Sequence, residues 1–119
     1  MKKTNMIMLL VKVKALPKKS AEFCQTVVSL SDVFKKEKGC LGYNAYNDVE
    51  DKNSFFLFLT CNSKAGLMNH LKSRPFNILV GAVQNLCMDG QVDVDVLTSA
   101  SSKIISIQKM ATELFAQPK

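Results

Sequence analysis

LGYNAYNDVEDKNSFFLFLTC, residues 41–61, is the stretch on which the fold turns. Leu41 to Asp48 predicts a strand with Leu41, Tyr43 and Ala45 on one face. Glu50-Asp51-Lys52-Asn53 is a polar turn, and Ser54 to Cys61 is a second strand, the most apolar segment of the chain. Two strands joined by a short polar turn form an antiparallel hairpin. Upstream, Pro17 opens a helix at its first turn. Ala21, Cys24, Val27, Val28, Leu30 and Phe34 recur there at helical spacing, and Gly39 stops the run. Before that helix, Met6 to Lys14 sets Ile7, Leu9, Val11 and Val13 against Met6, Met8 and Leu10, a strand apolar on both faces until Lys12. Downstream, Asn62 or Ser63 can cap a helix carrying Leu67, Met68, His70 and Leu71. Pro75 interrupts it and starts another through Phe76, Leu79, Val80, Val83 and Leu86. Asp89-Gly90 reads as a turn, and Gln91 to Leu97 as a last strand with Val92, Val94 and Val96 inward.

The order β-α-β-β-α-β is the split βαβ arrangement, an α+β ferredoxin-like fold with a four-stranded antiparallel sheet. Its helices cover one face. Met6, Met8, Leu10, Phe56 and Phe58 are expected on the other. A bare apolar sheet face is rarely left to solvent, and burial against a second copy gives a homodimer. Past Ser99-Ala100-Ser101-Ser102, the spacing of Ile104, Ile107, Ala111, Leu114 and Phe115 predicts a C-terminal helix, packed on the chain's own edge or on its partner. The chain therefore divides into a domain over residues 1–99 and a helical extension over residues 100–119.

Composition limits what such a fold could do. The chain has 119 residues, of which 47% are apolar, enough for one domain with a real core. Its net charge of +6 raises the question of nucleic acid, yet Arg74 is the one arginine and the lysines are scattered, which reads as a solvated basic surface. The apolar run behind Met1-Lys2-Lys3 is short and broken by Lys12 and Lys14, so it makes no signal peptide, and no stretch approaches a membrane span. Neither nucleic acid nor membrane is expected as a partner. The four cysteines include no C-x-x-C pair, and one histidine completes no zinc site of usual spacing. Reduced thiols and a cytoplasmic location are expected. No glycine-rich phosphate loop occurs.

Four stretches together resemble the antibiotic biosynthesis monooxygenase family. They are the first strand, Glu37-Lys38-Gly39-Cys40-Leu41-Gly42-Tyr43, the Asp48 to Phe58 hairpin, and Asn69-His70-Leu71-Lys72-Ser73-Arg74-Pro75-Phe76. The similarity covers about residues 5–98. It implies a dimeric α/β barrel with one pocket per subunit between sheet and helices. It also implies oxidation of a small aromatic or quinol-like substrate by molecular oxygen, with no metal or flavin cofactor. The chain departs from relatives in having no tryptophan, with Cys61 standing where many carry one. Asn77-Ile78-Leu79-Val80-Gly81-Ala82 has no histidine, so the resemblance does not extend to the haem-degrading branch.

His70, the sole histidine, is the expected general base: a buried neutral imidazole can take a phenolic proton from a hydroquinone. A merely packed histidine reads equally well from the same residues. Tyr43 is the second expected catalytic group, offering a hydroxyl to a ligand oxygen. Asn44 and Asn69 could bond a carbonyl, and Arg74 could hold an acidic substituent. Phe58 and Phe76 could line an aromatic-accepting pocket, and Cys61 could pair with His70. Three activities fit: a cofactor-independent monooxygenase, a non-catalytic binder of a small apolar ligand, and a related isomerase or cyclase. Fold alone does not choose among them.

Overall fold

The computed structural model describes residues 6–98 and 104–116. Four strands form its sheet: β1 (Ile7–Ala15), β2 (Cys40–Asn47), β3 (Ser54–Cys61) and β4 (Cys87–Thr98). Four α-helices accompany them: α1 (Ser20–Lys35), α2 (Lys64–Leu71), α3 (Arg74–Leu86) and α4 (Ile104–Ala116). The sheet order is β2-β3-β1-β4, with every neighbouring pair antiparallel. This is the ferredoxin-like α+β arrangement expected from the element order. The expected linker Ser99–Ser102, the charged start Met1-Lys2-Lys3 and the side chain of Ile104 lie outside the described residues.

Strand alternation divides the residues between two faces. Ile7, Leu9, Val11, Val13 and Ala15 of β1 are buried under the helices, as are Phe55, Leu57, Leu59 and Cys61 of β3 and Val94 and Val96 of β4. The opposite face carries Met8, Leu10, Phe56 and Phe58, all half-buried. Across it run three rungs: Tyr46–Phe56–Lys12–Asp93, Asn44–Phe58–Leu10–Asp95 and Gly42–Thr60–Met8–Leu97. Lys12 stretches over the Phe56 ring at 5.4 Å from its centroid, so its stem covers part of the apolar face.

The β2–β3 turn is held by its own acids. Asp48 Oδ1 accepts from Glu50 N, and Asp51 accepts from Asn53 N and from Ser54 Oγ. The Asn53 amide, with Ser54 and Lys14, holds the Asp51 carboxyl below its usual range.

Several local expectations are corrected. On α1 the buried face is Phe23, Val27, Leu30 and Phe34, while Ala21 is exposed and Val28 is 65% exposed. Val28 falls one step round the helix from Val27 and lines the open groove between α1 and β2. Pro17–Lys19 is a separate 3-10 turn before α1. On β2 only Tyr43 is buried: Leu41 falls at the register slip between Cys40 and Gly42, and Ala45 lines the open groove beside α1. Asp89-Gly90 is no turn between elements: β4 begins at Cys87, directly after α3, and Gly90 takes φ +74° inside it. The register slips there, with Val13 opposite Val92 but Ala15 opposite Cys87. A bulge absorbs the extra residues, and glycine meets its positive φ. The C-terminal helix α4 packs on the chain's own β4 and α3, burying Ile107, Ala111 and Phe115 in the common core.

Candidate active site

Pro75 and two serines build the ground under His70. Ser63, not Asn62, caps α2: its Oγ accepts from Gly66 N at 3.1 Å. Twelve residues after Ser63, the pyrrolidine of Pro75 ends any continuous helix, and Ser73 becomes the cap of α3, accepting from Phe76 N at 3.2 Å. The same hydroxyl donates to the His70 carbonyl at 2.7 Å. His70 and Phe76 are thereby fixed on either side of one corner.

The His70 side chain points inward and is 5% exposed. Its ring meets Phe34 edge-on at 4.8 Å and Phe76 at 5.0 Å between centroids. The row continues both ways, from Phe34 to Tyr43 at 5.0 Å and from Phe76 to Phe115 at 5.6 Å. Within this apolar wall one polar partner reaches the imidazole: Nδ1 lies 2.5 Å from Glu37 Oε1. Burial holds His70 below its ordinary pKa, and the Glu37 carboxylate pulls the other way. A neutral ring donates its Nδ1–H to Glu37, which leaves Nε2 with the lone pair of a base. Glu37 sits just past α1, brought in by Gly39 at φ +90°. A Cβ on Gly39 would lie 3.1 Å from the Gly66 Cα, so the loop rests backbone to backbone on the start of α2.

The residues singled out in the sequence do not gather at one place. His70, Phe76 and Tyr43 share the ring row, and Cys61 lies on the same side of the sheet, 1% exposed. Burial pushes the Cys61 thiol up to about 12. Tyr43 is 3% exposed, its buried hydroxyl has no hydrogen-bond partner among the described residues, and desolvation raises its pKa well above the usual phenol range. Asn44 and Phe58 oppose each other on the other face of the sheet. Asn69 and Arg74 are exposed. A groove of about 380 Å3 between α1 and β2 is lined by Val27, Val28, Asp32, Lys35, Tyr43 and Asn44, without His70.

Glu37 and Phe34 complete the candidate site, and neither stands out in the sequence as a member of it. Glu37 stands in Lys35-Lys36-Glu37-Lys38, a run that reads as a solvated helix end. Its one available signal was the glycine two places on.

The sequence profile of the antibiotic biosynthesis monooxygenase family matches residues 6–78, from β1 through the corner that carries His70. The chain belongs to this family. The structure of a "putative antibiotic biosynthesis monooxygenase" from Deinococcus radiodurans superposes with a TM-score of 0.72 at 16% identity, covering 81% of this chain and 94% of that one. Rv0793 of Mycobacterium tuberculosis gives 0.73 at 18%, covering 82% and 97%. A conserved protein of unknown function from Bacteroides thetaiotaomicron gives 0.72 at 22%, covering 81% and 99%. At these identities the likeness shows the fold. An uncharacterized protein of Synechocystis sp. is 29% identical over 68 residues, 57% of this chain, and the match spans 46% of that relative's length. No helix among the described residues is long and apolar enough to cross a membrane.

Proposed function

We propose that this antibiotic biosynthesis monooxygenase family chain oxidises a small aromatic or quinol-like substrate with molecular oxygen, His70 acting as the general base. The observation that carries the reading is the contact between half-buried Glu37 and buried His70. A carboxylate that fixes one ring nitrogen as donor leaves the other as acceptor, in surroundings that keep the ring neutral. Removing a hydroquinone's phenolic proton makes the ring electron-rich and readier to react with oxygen. The balance then closes on the substrate alone: one oxygen atom enters the ring as a hydroxyquinone forms, and the other leaves as water. Phe34 and Phe76 favour an aromatic guest beside the imidazole. Tyr43 would supply a hydroxyl to it. We assign Glu37 as a positioning residue, since it acts through His70.

The open sheet face supports a homodimer in which Met8, Leu10, Phe56 and Phe58 of each copy cover those of the other. Exposed Tyr46 and Leu97 extend the same patch.

A second reading, a non-catalytic binder of a small apolar ligand, is favoured by the groove of about 380 Å3 between α1 and β2, which His70 does not line. Oxygen uptake with a panel of hydroquinones separates the two. The monooxygenase reading expects turnover by the wild type, a loss of about 100-fold or more in His70→Ala, and an intermediate loss in Glu37→Gln. Ligand-induced stabilisation without oxygen uptake would establish the binder instead. Product formed without oxygen consumption would indicate isomerase or cyclase chemistry.

A further inference from the structure

Cys40 and Cys61 face each other on the outermost rung of the β2–β3 ladder. Just beyond them, the Asn62 N–H donates to the Gly39 carbonyl at 2.9 Å. A hydrogen-bonded rung at 39–62 makes 40–61 a non-hydrogen-bonded one, the kind that brings opposed Cα atoms to about 4.5 Å and side chains closest together. That spacing lies within the span of a disulfide. The register slips between Cys40 and Gly42, so residues 40 and 41 both stand against Cys61. Leu41 turns to solvent, while Cys40 is half-buried and packs against the core that contains Cys61. Neither is in a disulfide, and the Cys40 Sγ donates to the Gly42 carbonyl at 3.5 Å. Each side chain is close enough to act electrostatically: Cys40 and Glu37 both raise the Cys61 pKa, and Glu37 raises that of Cys40.

We propose that Cys40 and Cys61 are a redox-responsive pair that a peroxide closes into a cross-strand disulfide, and that closure disturbs the neighbouring Glu37–His70 contact. The Cys40 sulfur, the more accessible of the two, attacks a peroxide oxygen and breaks the O–O bond. With hydrogen peroxide this gives the Cys40 sulfenic acid and one water. The Cys61 sulfur then attacks the Cys40 sulfur, the S–S bond forms, and the hydroxyl leaves with the Cys61 proton as a second water. The two thiols lose two electrons and the peroxide gains them. Because burial keeps both thiols protonated at neutral pH, the reaction quickens as pH rises. Glu37 is three residues from Cys40 on a loop with little slack, since Gly39 already abuts the Gly66 Cα. Drawing the Cys40 sulfur toward Cys61 therefore moves the carboxylate that His70 holds.

The test treats the folded full chain with hydrogen peroxide, blocks remaining thiols by alkylation under denaturing conditions, and weighs the protein. The expected product is two hydrogens lighter than the reduced chain, with Cys24 and Cys87 alkylated and a peptide map joining Cys40 to Cys61. Dithiothreitol restores the original mass. Cys40→Ser and Cys61→Ala each abolish the product. Should Cys61→Ala fail to fold, Cys40→Ser at the half-buried position decides the matter. The His70 ring protons in the NMR spectrum shift on oxidation and return on reduction. A bond to a different cysteine, oxygen adducts on Cys40 with no disulfide, or unreacted thiols would overturn the pair. Unmoved His70 signals in the disulfide form would overturn its link to the candidate site. None of these readouts needs substrate turnover, so they stand or fall apart from the monooxygenase reading.

Discussion

His70 ties acidity to stability. Its pKa in the folded chain is held below the 6.5 of a free imidazole, chiefly by burial, with Glu37 opposing. The unfolded chain therefore binds the proton more readily, and acid favours unfolding. This contribution is fully present above about pH 6.5 and drains away as pH falls through the folded value. Calorimetry on the wild type should show Tm falling as the solution is acidified below neutrality, with His70→Gln giving a shallower fall. An equal slope in both proteins would mean that other groups carry the acid sensitivity. Tyr43 makes a separate prediction. Its hydroxyl is buried and has no partner among the described residues, so Tyr43→Phe should leave stability unchanged or raise it by up to about 1 kcal/mol in urea unfolding. Turnover should fall in the same variant if the hydroxyl serves the substrate, and a variant both less stable and fully active would contradict both expectations. The sequence made His70 and Phe76 legible because a lone histidine and a buried ring stand out by type. Glu37 did not, because its meaning depends on a turn that folds an acid flanked by lysines back into the core.

Elements were legible where periodicity was strong and blurred where they ended. The β2–β3 hairpin and the split at Pro75 follow from alternation and from proline's missing N–H. The start of β4 did not, since Asp89-Gly90 carries turn chemistry that the bulge uses inside a strand. On α1, Phe23 was missed and Val28 misplaced because adjacent apolar residues let the helical face be drawn one step off. The two positive-φ glycines separate backbone strain from crowding. Gly39 sits at φ +90° with the Gly66 Cα 3.1 Å from where a Cβ would go, whereas Gly90 at φ +74° has open space around it. Gly90→Ala should cost about 1 kcal/mol. Gly39→Ala meets a backbone that must move as well, and should cost about 2–3 kcal/mol in chemical denaturation. Equal losses at the two positions would show that the contact between the loop and α2 yields freely.

At the scale of the whole molecule, the open sheet face governs association. Sedimentation should find the wild type as a dimer and Phe58→Glu as a monomer with its secondary structure intact, because a carboxylate there would be buried unpaired against the other copy. A wild type that sediments as a single chain would remove the dimer. That face was readable from the parity of β1 and β3, yet what covers it lies outside one chain. The docking of α4 was readable only in part: its apolar spacing marked a buried stripe but not which surface would receive it. The strand order has a last consequence, for the sequence of events in folding. β2 and β3 can zip together across a short turn, but β1, near the chain's beginning, acquires its second neighbour only from β4. Such distant pairing closes a long loop and is slow. Until residues 92–98 arrive, one edge of a strand destined for the sheet's interior stays unpaired and open to strands of other nascent chains. Aggregation during synthesis is thus a hazard concentrated in the interval before β4 emerges.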